Sequence, residues 1–326
     1  MAAMDLILYA IQVLVYPGIL FAFATGLFSE WFMRKLYARF QNRRGPTYTG
    51  PFGILQPLAD FLKLMLKEDI ATRVSGDKAV LFLLSLSLGA LSLVMLFTPL
   101  AIKGLGFPYD AVLVVYLLII PSLVFALIGY ASYNPFGIYG SSRIVVLLLG
   151  YEPAFLLSIF MPMFAAPGGF GFSVREAASR MWPLWRGPTA IAMIIALAIA
   201  LVSLQCKLME KPFDIPHAEV EIVGGPFTEY SGPKLAYIGL LHDFELVVGA
   251  VLITYLLLGG EAPFQGPLGA LAVLAKFLAV VSALTLIKAV FGRFRIDQAS
   301  NMLWRYVILI ALADLLLAAY VIPRFA

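Results

Sequence analysis

Cysteine occurs once in the 326 residues, as Cys206, and histidine twice, as His217 and His242. One thiol excludes an internal disulfide and any zinc or iron–sulfur site built from several cysteines. Two histidines are a thin supply for haem ligation, so the chain is expected to carry no redox cofactor and no metal of its own. Charge is scarce too. Asp, Glu, Lys and Arg make up 13% of the residues, against about a quarter in soluble domains. The net charge of +4 gives no reason to expect a nucleic-acid partner.

What fills the chain instead is apolar. Hydrophobic residues reach 62% and the mean hydropathy is +0.93. The bias runs throughout, which predicts one membrane domain over 1–326 rather than a soluble domain with an anchor. Eight stretches approach the roughly 20 apolar residues that cross a bilayer: 6–28, 79–102, 109–133, 144–164, 189–209, 235–258, 268–290 and 304–322. The first lacks the basic head and small-residue cleavage site of a signal peptide and reads as a retained span. The expected fold is all-α: a polytopic integral membrane protein with about eight transmembrane helices and an amphipathic cytoplasmic helix. No internal repeat is evident.

Basic residues orient the spans. Loops after the odd-numbered stretches hold 14 Lys and Arg, and the termini with the other loops hold 5. The positive-inside rule then places the large loops in the cytoplasm and both termini outside, in a multi-pass protein of the plasma membrane.

The first large loop begins with a basic block from Arg34 to Pro46 that includes Arg39, Gln41 and Arg43. Further on, Gln56, Asp60, Lys63 and Lys67 recur at helical spacing, with Leu58, Leu62 and Leu66 on the other side. Two readings fit: an interfacial helix with its apolar side in lipid, or a helix lining a cavity with its polar stripe inward. Gln56 and Asp60 favour the second, because a lipid-surface helix more often shows a purely basic face.

The loop after the fifth stretch holds Glu210, Asp214, Glu219, Glu221 and Glu229 among Ile, Val, Phe and Pro, with His217 in their midst. Carboxyls partly buried beside one another resist ionising and exchange protons nearer neutrality. An ordinary loop touching a partner is the plainer alternative. Inside the apolar stretches lie Glu152, followed by Pro153, and then His242, Asp243, Glu245, Lys276 and Asp314. Ionisable groups at such depth are expensive and mark ion paths or buried pairs. A helix–helix ion pair is an equal alternative for Lys276 and Asp314. Lys288, near a span end, is expected to snorkel.

Four blocks in this order and spacing resemble one family. They are Arg34–Pro46 with Leu55-Gln-Pro-Leu-Ala-Asp60, Arg143 to Tyr151-Glu152, Pro212-Phe-Asp214 through Glu229-Tyr-Ser231, and Arg293-Phe-Arg-Ile-Asp-Gln298 with Arg295 and Asp297. The chain looks like the complex I membrane protein that walls the quinone chamber (the H-type subunit of NADH dehydrogenase). It also looks like the counterpart in membrane-bound [NiFe]-hydrogenases and related ferredoxin-linked reductases.

The resemblance implies a non-redox subunit of an oxidoreductase complex. It would dock a peripheral iron–sulfur subunit and a large catalytic subunit, which carry iron–sulfur clusters and, in hydrogenases, a nickel–iron centre. Other membrane subunits, some antiporter-like, would be neighbours in the lipid bilayer. By motif position Glu152 matches the family's Tyr-Glu glutamate in a carboxylate chain that conducts protons or sodium. Asp214, Glu219, Glu221 and Glu229 match its acidic-loop positions, and Asp60 its Ala-Asp position.

Departures point away from quinone. Met33 stands where quinone-reducing members have Glu, and Leu147 and Gly150 replace polar residues. Lys207-Leu-Met-Glu210 replaces Glu-Thr-Asn-Arg, and His217 and His242 each replace a Glu. These changes favour a hydrogenase-like complex, with a sulfur-reducing relative or a quinone oxidoreductase as alternatives. A stand-alone ion transporter is disfavoured by loops enlarged on one side only.

Overall fold

The computed structural model describes residues 2–70, 76–165, 172–187 and 189–321, and every regular element among them is a helix. Residues 71–75 of the first large loop and 322, the expected end of the last span, lie outside the described residues. Among the described residues, eight helices are long and apolar enough to cross a bilayer. Lipid offers no partners to backbone N–H and C=O groups, so a chain this apolar satisfies them within helices.

The first span joins α1 (Ala2–Leu14) to α2 (Ile19–Phe40). At their junction a Cβ on Gly18 would lie 1.8 Å from Val13 O, so only glycine fits this break in the span. After the short α3 (Gln56–Met65) come spans α4 (Asp77–Phe97), α5 (Asp110–Ala131) and α6 (Pro135–Ala165). The small α7 (Val174–Arg180) precedes span α8 (Thr189–Lys207), and α9 (Glu219–Ile222) sits in the acidic loop. Spans α10 (Gly232–Leu256) and α11 (Pro267–Val290) follow. The eighth span begins as α12 (Ile296–Met302), passes through a π-helical turn at Leu303–Val307, and continues as α13 (Ile308–Leu316) into a second π turn, Leu317–Val321.

Each expected stretch overlaps one of the eight helices, but the ends differ for local reasons. α2 runs on to Phe40, carrying Arg34 and Arg39 on a helix rather than a loop, with Glu30 and Arg34 paired one turn apart. α6 starts nine residues early because Asn134 Oδ1 accepts from Phe136 N at 2.9 Å and Pro135 fits a first turn. Arg143 therefore stands inside a helix. The last span starts early at Ile296, where the Gln298 side chain accepts from Arg295 N at 3.2 Å.

α10 is the central helix. Buried residues make up 78% of its most apolar window, against 28% for α11, and it packs against α2, α3, α4, α8 and α11. Small residues let neighbours approach, as membrane packing requires. A Cβ on Gly26 of α2 would meet the Asp243 Cβ of α10 at 3.1 Å. That contact brings the start of α10 against the basic end of α2, and there the polar residues gather.

Candidate functional site

Three adjoining cavities of about 480, 340 and 410 Å³ surround the ends of α2, α3, α8 and α10, and His242 lines all three. His242 is fixed by a 2.8 Å hydrogen bond between Nε2 and Leu208 O. Asp243 lines two of the cavities together with Glu30 and Arg34.

Arg34 is the hub of one wall. It pairs with Glu30 one turn earlier and donates to Asp60 Oδ2 of α3 at 2.6 Å. Gln56 Nε2 donates to Asp60 Oδ1 at 3.0 Å. α3 is thus tied to α2 by charge, and by the Phe23–Phe61 ring contact at 5.3 Å. Of the expected polar stripe, Asp60 lines the chamber with Gln56 bonded to it, while Lys63 and Lys67 are exposed together with Leu62 and Leu66.

The acidic loop forms the other wall. Arg293 Nη2 donates to Asp214 Oδ2 at 2.6 Å, and Lys288 Nζ donates to Glu210 Oε1 at 2.7 Å. Lys288 therefore reaches a partner across the chamber instead of snorkelling alone. His217 Nδ1 is 3.8 Å from Asp214 Oδ1, with its ring 5.0 Å from that of Phe227. Burial is the chief cause that lowers the His217 pKa from 6.5 to about 4, against the pull of Asp214.

Three hydrogen bonds fasten the loop to α6 and to the residue before it. Arg143 donates to Glu221 Oε2 at 2.6 Å and to Ile215 O at 3.2 Å, and Asn134 donates to Glu229. Glu219 is exposed at the cavity rim beside His217. The loop can reverse here because Gly225 (φ +56°) lies against Pro216 O, where a Cβ would come within 1.9 Å.

Deeper in the bundle is a second polar group. Lys207, the last residue of α8, donates to Glu152 Oε1 at 2.5 Å, Leu118 O at 2.8 Å and Ser122 Oγ at 3.1 Å. Its Nζ stands 3.9 Å from Glu245 Oε1. The three side chains are 1%, 7% and 0% exposed for Lys207, Glu152 and Glu245. Glu152 Oε2 and Glu245 Oε2 have no hydrogen-bond partner among the described residues. One cation facing two buried carboxyls is electroneutral when the carboxyls share a single proton, and unbalanced buried charge is costly.

The two groups are linked twice. His242 and Glu245 are three apart on α10, so one turn carries both the chamber residue and the buried carboxyl. Residues 207–210 connect them again, with Lys207 inside, Leu208 O on His242 and Glu210 on the chamber.

Other expected residues fall elsewhere. Arg39 and Gln41 are exposed outside the chamber, and Arg43, also exposed, lines its edge. Arg295 and Asp297 are exposed at the start of α12. Lys276 and Asp314 form no pair. Lys276 donates to Gly260 O at 2.7 Å and Ala262 O at 2.5 Å, whereas Asp314 is buried with Oδ1 unbonded among the described residues. Glu30 and Lys207 were missed as site residues. Glu30 carried one signal, its four-residue spacing from Arg34 on the same helical face. Lys207 carried none, since its partners are far off in sequence.

The NADH dehydrogenase family model matches residues 11–319. The H-type subunit of the NADH-quinone oxidoreductase of Thermomicrobium roseum is 32% identical over 308 residues, covering 88% of this chain and 89% of the relative. That of Dehalococcoides mccartyi (strain CBDB1) is 32% identical over 325 residues, 95% of this chain and 87% of the relative. Among solved structures, a chain of the membrane-bound sulfane sulfur reductase, an archaeal respiratory membrane complex, superposes with a TM-score of 0.78 at 25% identity. The likeness covers 95% of this chain and 99% of that one.

Proposed function

The chain belongs to the NADH dehydrogenase family, as a membrane protein of the H type, and from that premise we propose that it couples electron transfer in a peripheral arm to ion movement. The chamber-facing loops dock an iron–sulfur subunit and a large catalytic subunit from the cytoplasmic side, and both termini face outward. Redox cofactors reside in those partners, and further membrane subunits, antiporter-like ones included, continue the ion path. The complex is of the hydrogenase-like or sulfur-reducing kind.

The observation that carries this reading is the link from chamber to buried carboxyls through His242 and Glu245. A change of charge or geometry at Asp214, Glu210 or Asp243 acts on the turn of α10 that holds Glu245. It also acts on the segment that ends at Lys207. Shifting Lys207 between Glu152 and Glu245 changes which carboxyl holds the proton. Glu219, Glu221 and Glu229 serve as proton carriers along the loop, and Arg34, Asp60, Arg143 and Arg293 hold the walls in place.

The test is Glu152→Gln in the assembled complex. Peripheral electron transfer should persist while ion pumping falls at least tenfold. Pumping at the full rate would remove Glu152 from the path.

A quinone reading draws on one feature. The 340 Å³ cavity has Pro57, Phe61, Leu64, Phe125 and Phe227 beside His242, a surrounding suited to a flat apolar ring with polar ends. Stoichiometric quinone in the purified complex would establish it.

A further inference from the structure

At the opposite end of the bundle from the chamber, two cavities meet. One, of about 420 Å³, is lined by Pro99, Arg175, Tyr255, Glu261 and Gln265 among others. The second, of about 200 Å³, has apolar side chains and two threonines around it, from Phe21 to Phe28 on α2, Val247 to Tyr255 on α10 and Ala270 to Phe277 on α11. Tyr255 lines both, and Pro99 of the first adjoins Leu100 of the second.

We propose that this pair of cavities binds one phospholipid whose headgroup carries a phosphate and an amine, with an acyl chain in the apolar slot. The slot has the right form. It follows three neighbouring helices for eight or nine residues, about 10–12 Å at a helical rise of 1.5 Å. It opens sideways at Leu274, which is 49% exposed. Its hydrogen-bonding side chains are Thr25 and Thr254, whose hydroxyls donate to their own helix backbone, and Tyr255, which it shares with the first cavity.

The headgroup end offers one charge of each sign. Arg175 Nη2 donates to Ala101 O at 2.5 Å and Thr98 O at 3.4 Å. A Cβ on Gly104 would come within 2.5 Å of the guanidinium carbon, so the loop can lie flat against it. Nε is buried without a partner among the described residues. A guanidinium so held keeps donors for a phosphate oxygen. Glu261 lies on the turn that Lys276 fixes through Gly260 O and Ala262 O, and it supplies the acceptor for an ammonium.

The test uses the full chain in detergent, stripped of lipid and titrated with phosphatidylethanolamine or phosphatidylglycerol of equal acyl chains, read by native mass spectrometry. One phosphatidylethanolamine should bind at least tenfold more tightly than phosphatidylglycerol. Arg175→Gln should weaken it at least tenfold. So should Ala270→Phe, which plugs the slot from an exposed helix position and leaves Arg175 and the core untouched. Glu261→Gln should abolish the preference between the two headgroups. Equal binding of both lipids to the unaltered chain would overturn the proposal. Retention by both Arg175→Gln and Ala270→Phe, or displacement of the phospholipid by an isoprenoid quinone, would do so as well.

Discussion

Lys207 Nζ and Glu152 Oε1 meet at 2.5 Å in the bundle interior, joining the end of α8 to the middle of α6 just before Pro153. Pro153 has no N–H to give the preceding turn, so α6 loses a backbone bond close to the pair. Breaking a buried ion pair from one side leaves an uncompensated charge and costs about 3–5 kcal/mol. Lys207→Met should lower unfolding stability in detergent by that amount. Adding Glu152→Gln to it should recover at least half. Unchanged stability in the single variant would mean that the pair contributes little to holding α6 on α8.

The chamber should respond to acid through His217. Its folded pKa of about 4 lies below the ordinary 6.5, mainly through burial. Between those values the unfolded chain binds the extra proton, so stability is present above 6.5 and is lost as pH falls toward 4. Asp214, Glu210, His242 and Arg293 act on the same ring and are present in both proteins. Comparison with His217→Gln isolates the histidine: the variant should lose less stability than the unaltered chain between pH 6.5 and 4. Identical acid limbs in the two unfolding curves would count against a buried neutral imidazole.

Hydropathy marked the spans because lipid forces apolar side chains onto every exposed helix face. It could not mark where helices end beyond the bilayer, and so α2 ran past Arg34 to Phe40 and α6 began at Pro135. Glu152 stood out as a lone charge in an apolar run. Lys207 did not, because a lysine at a span end ordinarily snorkels, and its two carboxyl partners come from α6 and α10. Glu30 was hidden for a similar reason: it precedes the basic block that drew attention. Position along the chain shows which groups are unusual in a membrane, but the pairing depends on tertiary contacts that one sequence does not display.

The loop tether at Arg143 divides into two unequal parts. Glu221 is 52% exposed, and a pair that open to water contributes up to about 1 kcal/mol. Arg143 also holds Ile215 O, a buried backbone position. Glu221→Gln should therefore change amide exchange across residues 215–222 only slightly, whereas Arg143→Gln should speed it severalfold. Equal effects from the two substitutions would assign the whole tether to the ion pair.

Asp314 offers the sharpest separation of path from scaffold. It is 2% exposed, its Oδ1 has no partner among the described residues, and it lies between two π-helical turns on α13, which packs against α6 and α8. An unpartnered buried polar atom costs about 1–3 kcal/mol, so nothing in its surroundings suggests a structural gain from the carboxyl. π turns are frequent at functional sites, where they interrupt the regular ladder. Asp314→Asn keeps the shape and removes the ionisable proton. Its unfolding temperature should be equal to or above that of the unaltered chain, while ion movement by the assembled complex falls at least fivefold. A lower unfolding temperature would point to a stabilising partner and a scaffold role. Full ion movement would place Asp314 off the proposed ion path, leaving Glu152 and Glu245 as its carboxyls inside the bundle.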